Sequence, residues 1–563
     1  MLKRFNLIDE GWIRVLVDDQ GHTREVSLKD LFAHAHEYKG LAGDMKTQDF
    51  AVLRMLLALL HTVFSRVDAQ GNPYEGLQLD DRYLPTNQGP VDDPEAYAEA
   101  LLDTWFDLWD QGSFPEVLAD YLNAWHDRFY LFDEEYPFFQ VSQDVVAADK
   151  LSKSAPSLVS GKNINRLISE SGNKIALFSP KYVRDKNKEI LTSPEVIRWL
   201  LTFQGYSGLS DKVIFGKDKY KASKGWLFDL GGTTLAGDNL FQTLMLNFVA
   251  LHPDRDDYSL HLQRPCWEYH SSEVVSRLMS GEPINNLAEL YTTWSRAIYI
   301  DPACDLEEPF AFGIVKLPDL DHQNAFLEPM TLWQFNKQGD NKDTFTPRKH
   351  RYHQALWRSF GLLTLTDLSN QDQAKRKPGI IDWYNYLSQH TAIDSLELEA
   401  ISMQDDGNAT SWVPVNEIYD SLRVKDFILT DLEEAGWVDR INNEVDLIKT
   451  IIDGIYRGFL KEITAIRNTS SSGYLDQKVE QFYFLVDAPF RDWLGGLSAH
   501  EDKDRQIASW REQVKQLAFR EAEQILKEAG PRDYKGLVSE EGKVSNIAIA
   551  YNKFSASIHK RLQ

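Results

Sequence analysis

The residues best suited to chemistry are five lysines between Lys212 and Lys224, a stretch that contains one acidic residue, Asp218. Glycines precede, interrupt and follow this lysine segment at Gly208, Gly216 and Gly225. Lysine supplies a point charge, and glycine has no Cβ to keep the backbone away from a ligand. The composition suits binding to a polyanion, but most lysine-rich runs of this kind are solvated loops that bind nothing, so the residues alone leave both interpretations open.

No known catalytic motif stands in its required context. The spacing from Gly208 to Lys217 is wrong for a phosphate-binding P-loop, and Asp218 replaces the Ser or Thr that would bind magnesium. The His126-Asp127 pair lacks the further His and Asp residues that a metal nuclease requires. We therefore predict a protein that is not an enzyme, with a hydrolase of dispersed ligands as an alternative.

The composition limits the class of protein further. Only two cysteines occur in 563 residues, which excludes a disulfide scaffold and a four-cysteine zinc site, so we expect no metal and no cofactor. The longest apolar stretches are too short and too interrupted to span a bilayer, and the first residues lack a signal peptide. We expect a cytoplasmic protein without membrane contact.

The charge is unfavourable for a free-standing nucleic-acid-binding domain, because the formal net charge is −24. Charges more than about 8 Å away are screened at physiological salt, so a local basic cluster can still act on an acidic protein. The polar stretch from Asp149 to Lys174 is such a cluster, with five basic and two acidic residues. Loops of this length are usually functional or mobile. The aromatic run from Arg128 to Gln140 is interpreted as buried core, with a base-stacking platform as the alternative.

Hydrophobic periodicity predicts the elements that position these segments. It predicts a core helix over 47–66, strands over 226–232 and 396–401, and a polar turn over 404–411. From about residue 414 the pattern is helical, and helices are predicted over 415–434, 443–459, 475–494, 503–528 and 544–559. The fold class that follows is α+β, with a large mixed α/β domain over 1–412 and an all-α four-helix bundle over 413–563.

The order of several short motifs resembles the CasA family, whose members are the large subunits of type I-E CRISPR surveillance complexes (Cascade). The matching stretches are FNLIDEGWIRV at 5–15, RFYLFDEEYPFFQ at 128–140, SLVSGKNIN at 157–165, SPEVIRWLLTFQGYSG at 193–208 and GWLFDLGGTTL at 225–235. The resemblance covers nearly the whole chain. It implies a non-catalytic subunit that recognises the protospacer-adjacent motif in double-stranded DNA, starts strand separation and docks a nuclease-helicase. It also implies other Cascade subunits and crRNA as partners.

The resemblance assigns roles to particular residues. A loop that inserts toward the backbone subunit and the guide RNA corresponds to Ser160, Gly161, Lys162, Asn163, Asn165 and Arg166. The glycine loop that lies in the DNA minor groove, with the lysines that follow it, corresponds to Gly205, Ser207, Gly208, Lys212, Lys217 and Lys219. A lysine on a β-hairpin that touches the motif has its nearest candidate in Lys337, and the tip of the strand-separating wedge corresponds to Asn408. The alternative is a purely structural assembly subunit that contacts guide RNA and proteins without reading DNA.

Overall fold

The computed structural model describes residues 3–86, 93–160, 190–208, 213–221, 224–254, 261–369, 374–407, 412, 414–469 and 472–562. The chain forms two compact units. The first unit comprises Met1–Gln354, Leu365–Thr391 and Leu396–Ser421, and the second comprises Ala355–Thr364, Ala392–Ser395 and Leu422–Gln563. The sequence places the division after residue 412, whereas the two units divide within a strand that begins at Pro414.

The strands of the described residues are short, apart from two near the end of the first unit. They are β1 (Lys3–Asn6), β2 (Ile13–Leu16), β3 (Thr23–Val26), β4 (Gly40–Leu41), β5 (Tyr130–Asp133), β6 (Ser157–Ser160), β7 (Gly232–Ala236), β8 (Arg296–Tyr299), β9 (Ala311–Lys316), β10 (Trp333–Phe335), β11 (Phe345–Pro347), β12 (Ser395–Asp405), β13 (Pro414–Lys425), β14 (Leu537–Val538) and β15 (Val544–Ser545). They form the sheets β1-β5, β3-β2-β4, β6-β9-β8, β10-β11, β13-β12-β7 and β14-β15.

The helices are distributed over both units. They are α1 (Leu28–His34), α2 (Lys46–Phe64), α3 (Pro94–Gln111), α4 (Val117–Ala124), α5 (Ser193–Tyr206), α6 (Leu240–Asn247), α7 (Ser271–Ser280), α8 (Leu287–Tyr291), α9 (Phe360–Thr364), α10 (Gly379–Leu387), α11 (Phe427–Thr430), α12 (Trp437–Lys449), α13 (Arg457–Arg467), α14 (Ser472–Gly496), α15 (Lys503–Lys527), α16 (Pro531–Lys535) and α17 (Ile547–Arg561). A π-helical turn over Thr450–Tyr456 joins α12 to α13. The fold is therefore a mixture of helix and sheet.

Helix α2 is the centre of the first unit. It packs against α5 and α8, and its residues from Phe50 to Phe64 are all buried. By length and composition α2 is the one helix of the described residues that could cross a membrane, but 94% of its apolar window is buried inside the protein. Such burial is typical of a core helix. The aromatic run is also core, because Phe129, Phe132, Phe138 and Phe139 are each at most 4% exposed.

A buried ion pair ties α2 to the region that precedes β10. The Arg54 guanidinium donates two hydrogen bonds of 2.8 and 2.7 Å to the Glu328 carboxylate, and Trp226 Nε1 donates a third of 2.7 Å. The backbone N–H of Met330 donates a fourth hydrogen bond to the same carboxylate. Charges without access to water need such complete pairing.

The residues around Trp226 form a 3₁₀ turn and not the strand that the sequence predicts over 226–232. The turn covers Trp226–Asp229, and strand β7 begins only at Gly232. Trp226, Leu227 and Phe228 are all buried. Three consecutive buried residues are also compatible with a strand that is covered on both faces, so the apolar run alone does not distinguish a strand from a tight helical turn.

The helix predicted over 415–434 is also wrong. Pro414–Lys425 is strand β13, beside β12, and only Phe427–Thr430 is helical. The apolar residues Val415, Ile418 and Leu422 have helical spacing and produced the error. The strand signal was present at its end, where Leu422 and Val424 are buried and Arg423 between them is exposed.

The second unit has an apolar core between its long helices. Helix α13 packs against α14 and α17, and α15 packs against α14 and α17. The aromatic contacts include Trp493 stacked on Trp510 at 5.1 Å between ring centroids and Phe459 against Phe554 at 5.2 Å. The predicted helices over 475–494, 503–528 and 544–559 match α14, α15 and α17 within a few residues. Regular burial at three- and four-residue spacing explains the agreement.

Replacing Arg54 with Met should lower the free energy of unfolding of the first unit by about 3–5 kcal/mol, because Glu328 then stays buried without its cation. Urea unfolding followed by tryptophan fluorescence measures this change. The double variant Arg54→Met/Glu328→Gln should recover much of the loss, since it removes both charges and keeps an acceptor for Trp226. A loss below about 1 kcal/mol in the single variant would contradict this role.

Candidate nucleic-acid interface

A cleft of about 570 Å³ in the first unit gathers several segments that are far apart in the sequence. One side is formed by the end of the lysine segment and the 3₁₀ turn, and another by residues 319–323. The β10-β11 hairpin contributes Gln334, Thr346 and the residues up to Lys349. Asp405 and Trp412 contribute from the end of the β12-β13 ribbon. We call this space the hairpin cleft.

The lysine segment is anchored to neighbouring chain at two points. Gly216 has a φ of +66°, which favours glycine, and its N–H donates to the Lys150 carbonyl at 2.9 Å. At the other end, the Tyr220 hydroxyl donates to the Lys316 carbonyl at the end of β9, at 2.6 Å. Lys217 and Lys219 lie in the exposed turn between these anchors. Their ammonium groups are therefore held at the surface by a fixed backbone.

Two other lysines of the segment are neutralised within the protein. Lys221 Nζ lies 2.5 Å from Asp319 Oδ2, and Lys224 forms an ion pair with Asp229. Lys224 also lies over the Trp412 ring, 4.8 Å from its centroid. These pairs reduce the positive field that the sequence suggests. Among the described lysines of the segment, Lys217 and Lys219 carry the excess charge.

The predicted glycine loop is packed inside the first unit and does not line the hairpin cleft. The Gly205 carbonyl lies so close to Gly225 that a Cβ on Gly225 would overlap it. Ser207 Oγ lies 2.8 Å from Ser295 Oγ, and the Gly208 carbonyl accepts a hydrogen bond from the Arg296 guanidinium. The glycines here allow chain segments to approach each other closely. Their proposed contact with DNA stays a prediction, which would require this region to open.

Lys337 is exposed at the turn of the β10-β11 hairpin, whose strands pair Trp333 with Pro347 and Phe335 with Phe345. The cross-strand pair between them, Gln334 and Thr346, lines the hairpin cleft. The hairpin thus carries polar side chains along the cleft and a lysine beyond it. Sequence reasoning missed Gln334, because a single Gln in an apolar strand has no distinctive spacing.

The other predicted residues lie mostly outside the described parts of the chain. Ser160 ends β6, opposite Ala311 of β9. The predicted residues outside the described ranges are Gly161, Lys162, Asn163, Asn165, Arg166, Lys212 and Asn408. Asp405 and Trp412 are described before and after Asn408 in the chain, and both line the hairpin cleft.

Lys349 connects the end of β12 to the 3₁₀ turn. Its Nζ lies 2.7 Å from Asp405 Oδ2, 3.8 Å from Asp229 Oδ1 and 4.1 Å from the centroid of the Phe228 ring. Burial lowers the pKa of Lys349, while the two carboxylates favour its charged form. The next residue, His350, is buried and donates from Nε2 to the Gly232 carbonyl at 2.9 Å, and burial lowers its pKa to about 4.

The described residues contain no group of three or more His, Cys, Asp or Glu side chains placed to hold a metal ion. Cys266 is buried and Cys304 is partly buried. Burial raises the pKa of the Cys266 thiol to about 12, so this thiol is unreactive at neutral pH. The charged and polar side chains of the hairpin cleft can bind a ligand through charge and hydrogen bonds.

Comparisons with known proteins agree with this fold. A family model described as CRISPR-associated protein Cse1 matches residues 6–520. A CasA/Cse1 protein of Thermus thermophilus is 31% identical over 305 residues, which are 53% of this chain and 49% of that protein, so the match spans about half of that relative. The crystal structure of Thermobifida fusca Cse1 matches with a TM-score of 0.76 and 23% identity, over 100% of this chain and 98% of that chain. A chain of a CRISPR RNA-guided surveillance complex matches with a TM-score of 0.63 and 16% identity, over 99% of each chain.

The fold is that of a large CRISPR-associated protein, since the solved structures match along essentially the whole chain. The family model covers far more than half of the sequence. The chain belongs to the Cse1 family, whose members are also called CasA.

Replacing Lys349 with Met should loosen the end of the β12-β13 ribbon, because Asp405 loses its partner and Asp229 loses one of two cations. We expect hydrogen exchange of the amides at the end of β12 to become about tenfold faster or more, from the loss of a charge-assisted hydrogen bond. Hydrogen-exchange mass spectrometry measures it. The control is Lys342→Met, which removes an exposed lysine with a 3.9 Å contact to its neighbour Asp343. Equal exchange in both variants would contradict the role of Lys349.

Proposed function

We propose that this chain is the non-catalytic large subunit of a type I-E CRISPR surveillance complex. In this role it recognises the protospacer-adjacent motif of double-stranded DNA through the minor groove and promotes the first strand separation and R-loop formation. Membership of the Cse1 family and the likeness to a chain of a surveillance complex support the proposal. The proposed partners are the other Cascade subunits, crRNA, target DNA and a nuclease-helicase, and the proposed location is the cytoplasm.

The observation that carries the proposal is the hairpin cleft. The lysine segment, the β10-β11 hairpin and the β12-β13 ribbon each carry an expected DNA contact, and other residues of each segment line this one space: Lys221 and Lys224, Gln334 and Thr346, and Asp405 and Trp412. The minor groove presents mainly hydrogen-bond acceptors, so lysine and amide donors are suitable readers. This readout is degenerate, which would allow several motif sequences. The candidate donors are Lys212, Lys217, Lys219, Lys337 and Asn408.

The acidic charge of the chain fits a subunit that binds DNA only as part of an assembly. With a net charge of −24, the isolated chain should bind DNA weakly. Basic surfaces of the other subunits and pairing with the guide RNA would add their contributions, since linked contacts act at high effective concentration.

We also propose that the segment from Ser160 to Arg166 contacts guide RNA. The long helices of the second unit would form the four-helix bundle and supply the surface that docks the nuclease-helicase.

A second candidate function is a structural assembly subunit without a role in DNA reading. Two observations favour it. The segment Gly205–Gly208 is buried against its own unit, and Lys221, Lys224 and Lys349 are neutralised by carboxylates. In this case the exposed lysines would bind RNA or a partner protein.

The double variant Lys217→Ala/Lys219→Ala separates the two candidates. In the assembled complex it should weaken binding of motif-bearing duplex DNA and reduce the slope of log affinity against log salt by about 2, one for each phosphate contact. An electrophoretic shift or filter-binding titration at several salt concentrations measures both. The matched control is Lys29→Ala/Lys39→Ala, which removes two lysines that are paired with Asp9 and Asp19. Unchanged affinity and slope in the first variant would favour the structural candidate.

Replacing Asn408 with Ala should reduce opening of the first base pair, because the side chain proposed to enter the duplex is lost. The fluorescence of 2-aminopurine at the first protospacer position reports this opening and should fall in the variant complex. Ser411→Ala, in the same polar turn, serves as the control. If the fluorescence is the same in both variant complexes and in the unmodified complex, Asn408 is not the wedge.

A further inference from the structure

Arg348 differs from the other cations of the hairpin cleft in its partners. Lys221, Lys224 and Lys349 each form an ion pair with an aspartate of the same unit. Arg348 also lines the cleft and is half-buried, yet within the described ranges its guanidinium makes no ion pair with a carboxylate. In a chain with a large excess of acidic residues, an uncompensated arginine in a cleft is unusual.

This arrangement is electrostatically unfavourable in the unliganded protein. Burial lowers the pKa of Arg348, and the nearby charge of Arg351 lowers it further. Arginine nevertheless stays charged at neutral pH, so the free energy of desolvation and repulsion remains in the folded state. An anion placed in the cleft would relieve both effects, which is the behaviour of a binding residue.

The backbone of Arg348 is held in a fixed place. Its N–H donates to the Leu332 carbonyl at 2.9 Å, next to the β10-β11 hairpin. Its carbonyl lies against Gly231, where a Cβ would overlap that oxygen. The following residues are fixed too, because Lys349 binds Asp405, and the His350 N–H donates to Ser402 Oγ at 3.1 Å. The guanidinium is thus presented from a rigid base.

The cleft also indicates which chemical group fits beside Arg348. Gln334 and Asn341 line the space with amides that can donate hydrogen bonds. Asp321, from another segment, lines it with a carboxylate, which would repel an anion on that side. A planar guanidinium matches two oxygens of a phosphate group and is weakly hydrated.

We propose that Arg348 binds a backbone phosphate of the target DNA duplex in the hairpin cleft, with Arg351 adding to the positive potential. The proposal rests on the proposed function, in which duplex DNA borders this cleft. Arg348 would fix the position of the duplex relative to the β10-β11 hairpin. A phosphate contact carries no sequence information, so Arg348 would set affinity and register, and other residues would read the motif.

Arg348→Gln in the assembled complex tests the proposal. We expect duplex affinity to fall about tenfold for motif-bearing and motif-lacking DNA alike, and the salt slope to decrease by about 1. Arg348→Lys keeps the charge and should preserve the salt slope, with an intermediate affinity. The control is Arg505→Gln, which removes an exposed arginine of helix α15.

The thermal unfolding of the Arg348→Gln protein gives an independent readout. A structural ion pair would make this variant less stable, whereas loss of an uncompensated cation next to Arg351 should leave Tm unchanged or raise it. Unchanged duplex affinity and salt slope in a stable Arg348→Gln complex would overturn the proposal. A variant complex that loses guide RNA would also overturn it, because the phosphate would then belong to RNA, and so would one that fails to assemble, because Arg348 would then act in assembly. If the unmodified complex does not bind motif-bearing duplex DNA, the proposed function itself fails, which is a distinguishable result.

Discussion

The candidate site depends on the hydrogen bonds and the ion pair of one buried carboxylate, that of Glu328. This carboxylate accepts hydrogen bonds from Arg54 of the central helix, from Trp226 at the end of the lysine segment and from the Met330 backbone that leads into β10. Burial alone would raise the pKa of Glu328, but the Arg54 cation and these donors lower it. One ionised group therefore fixes two walls of the hairpin cleft to the core of the first unit. Removing one partner of such a buried pair is costly because it leaves a charge unpaired, whereas replacing both partners with apolar groups is often close to neutral.

The same principle continues at the surface of the cleft, where ion pairs act as structural connections. Lys224 and Lys349 both contact Asp229, and both lie against the Phe228 ring. Lys349 reaches Asp405 as well, and Lys224 reaches Trp412, so Asp405 and Trp412 are both connected through these lysines to the 3₁₀ turn. These cations are occupied in holding the site together. Among the described residues, charge available for a ligand is found at Lys217, Lys219 and Arg348, for which the described ranges provide no carboxylate partner.

Hydrophobic periodicity was sufficient to predict those elements in which apolar side chains recur regularly along one buried face. The long helices of the second unit follow this rule, and so does helix α2. Periodicity gave the wrong secondary structure where packing against the rest of the unit determines the conformation. At Trp226 a 3₁₀ turn buries three consecutive residues, and at Pro414 the chain forms a strand that pairs with its neighbour β12. For the site, the exposure of Lys217 and Lys219 agrees with the binding interpretation. Arg348 and Lys349 are adjacent basic residues with different surroundings, and the sequence pattern contains nothing that distinguishes them, because the carboxylate partners of Lys349, Asp229 and Asp405, lie far away in sequence.

The glycines around the lysine segment have a different physical role from the one their composition suggests. Gly225 leaves room for the Gly205 carbonyl, and Gly231 leaves room for the Arg348 carbonyl, so both bring chain segments into direct backbone contact. Only Gly216 of these needs a left-handed conformation, and it shapes the turn that exposes Lys217. Close backbone packing fixes the chain next to Lys224 and at Arg348, while the side chains of Lys217 and Lys219 are exposed. A rigid base with adjustable lysine and arginine ends suits a ligand whose charge is regular along its length and whose sequence varies, which is the character of a DNA backbone.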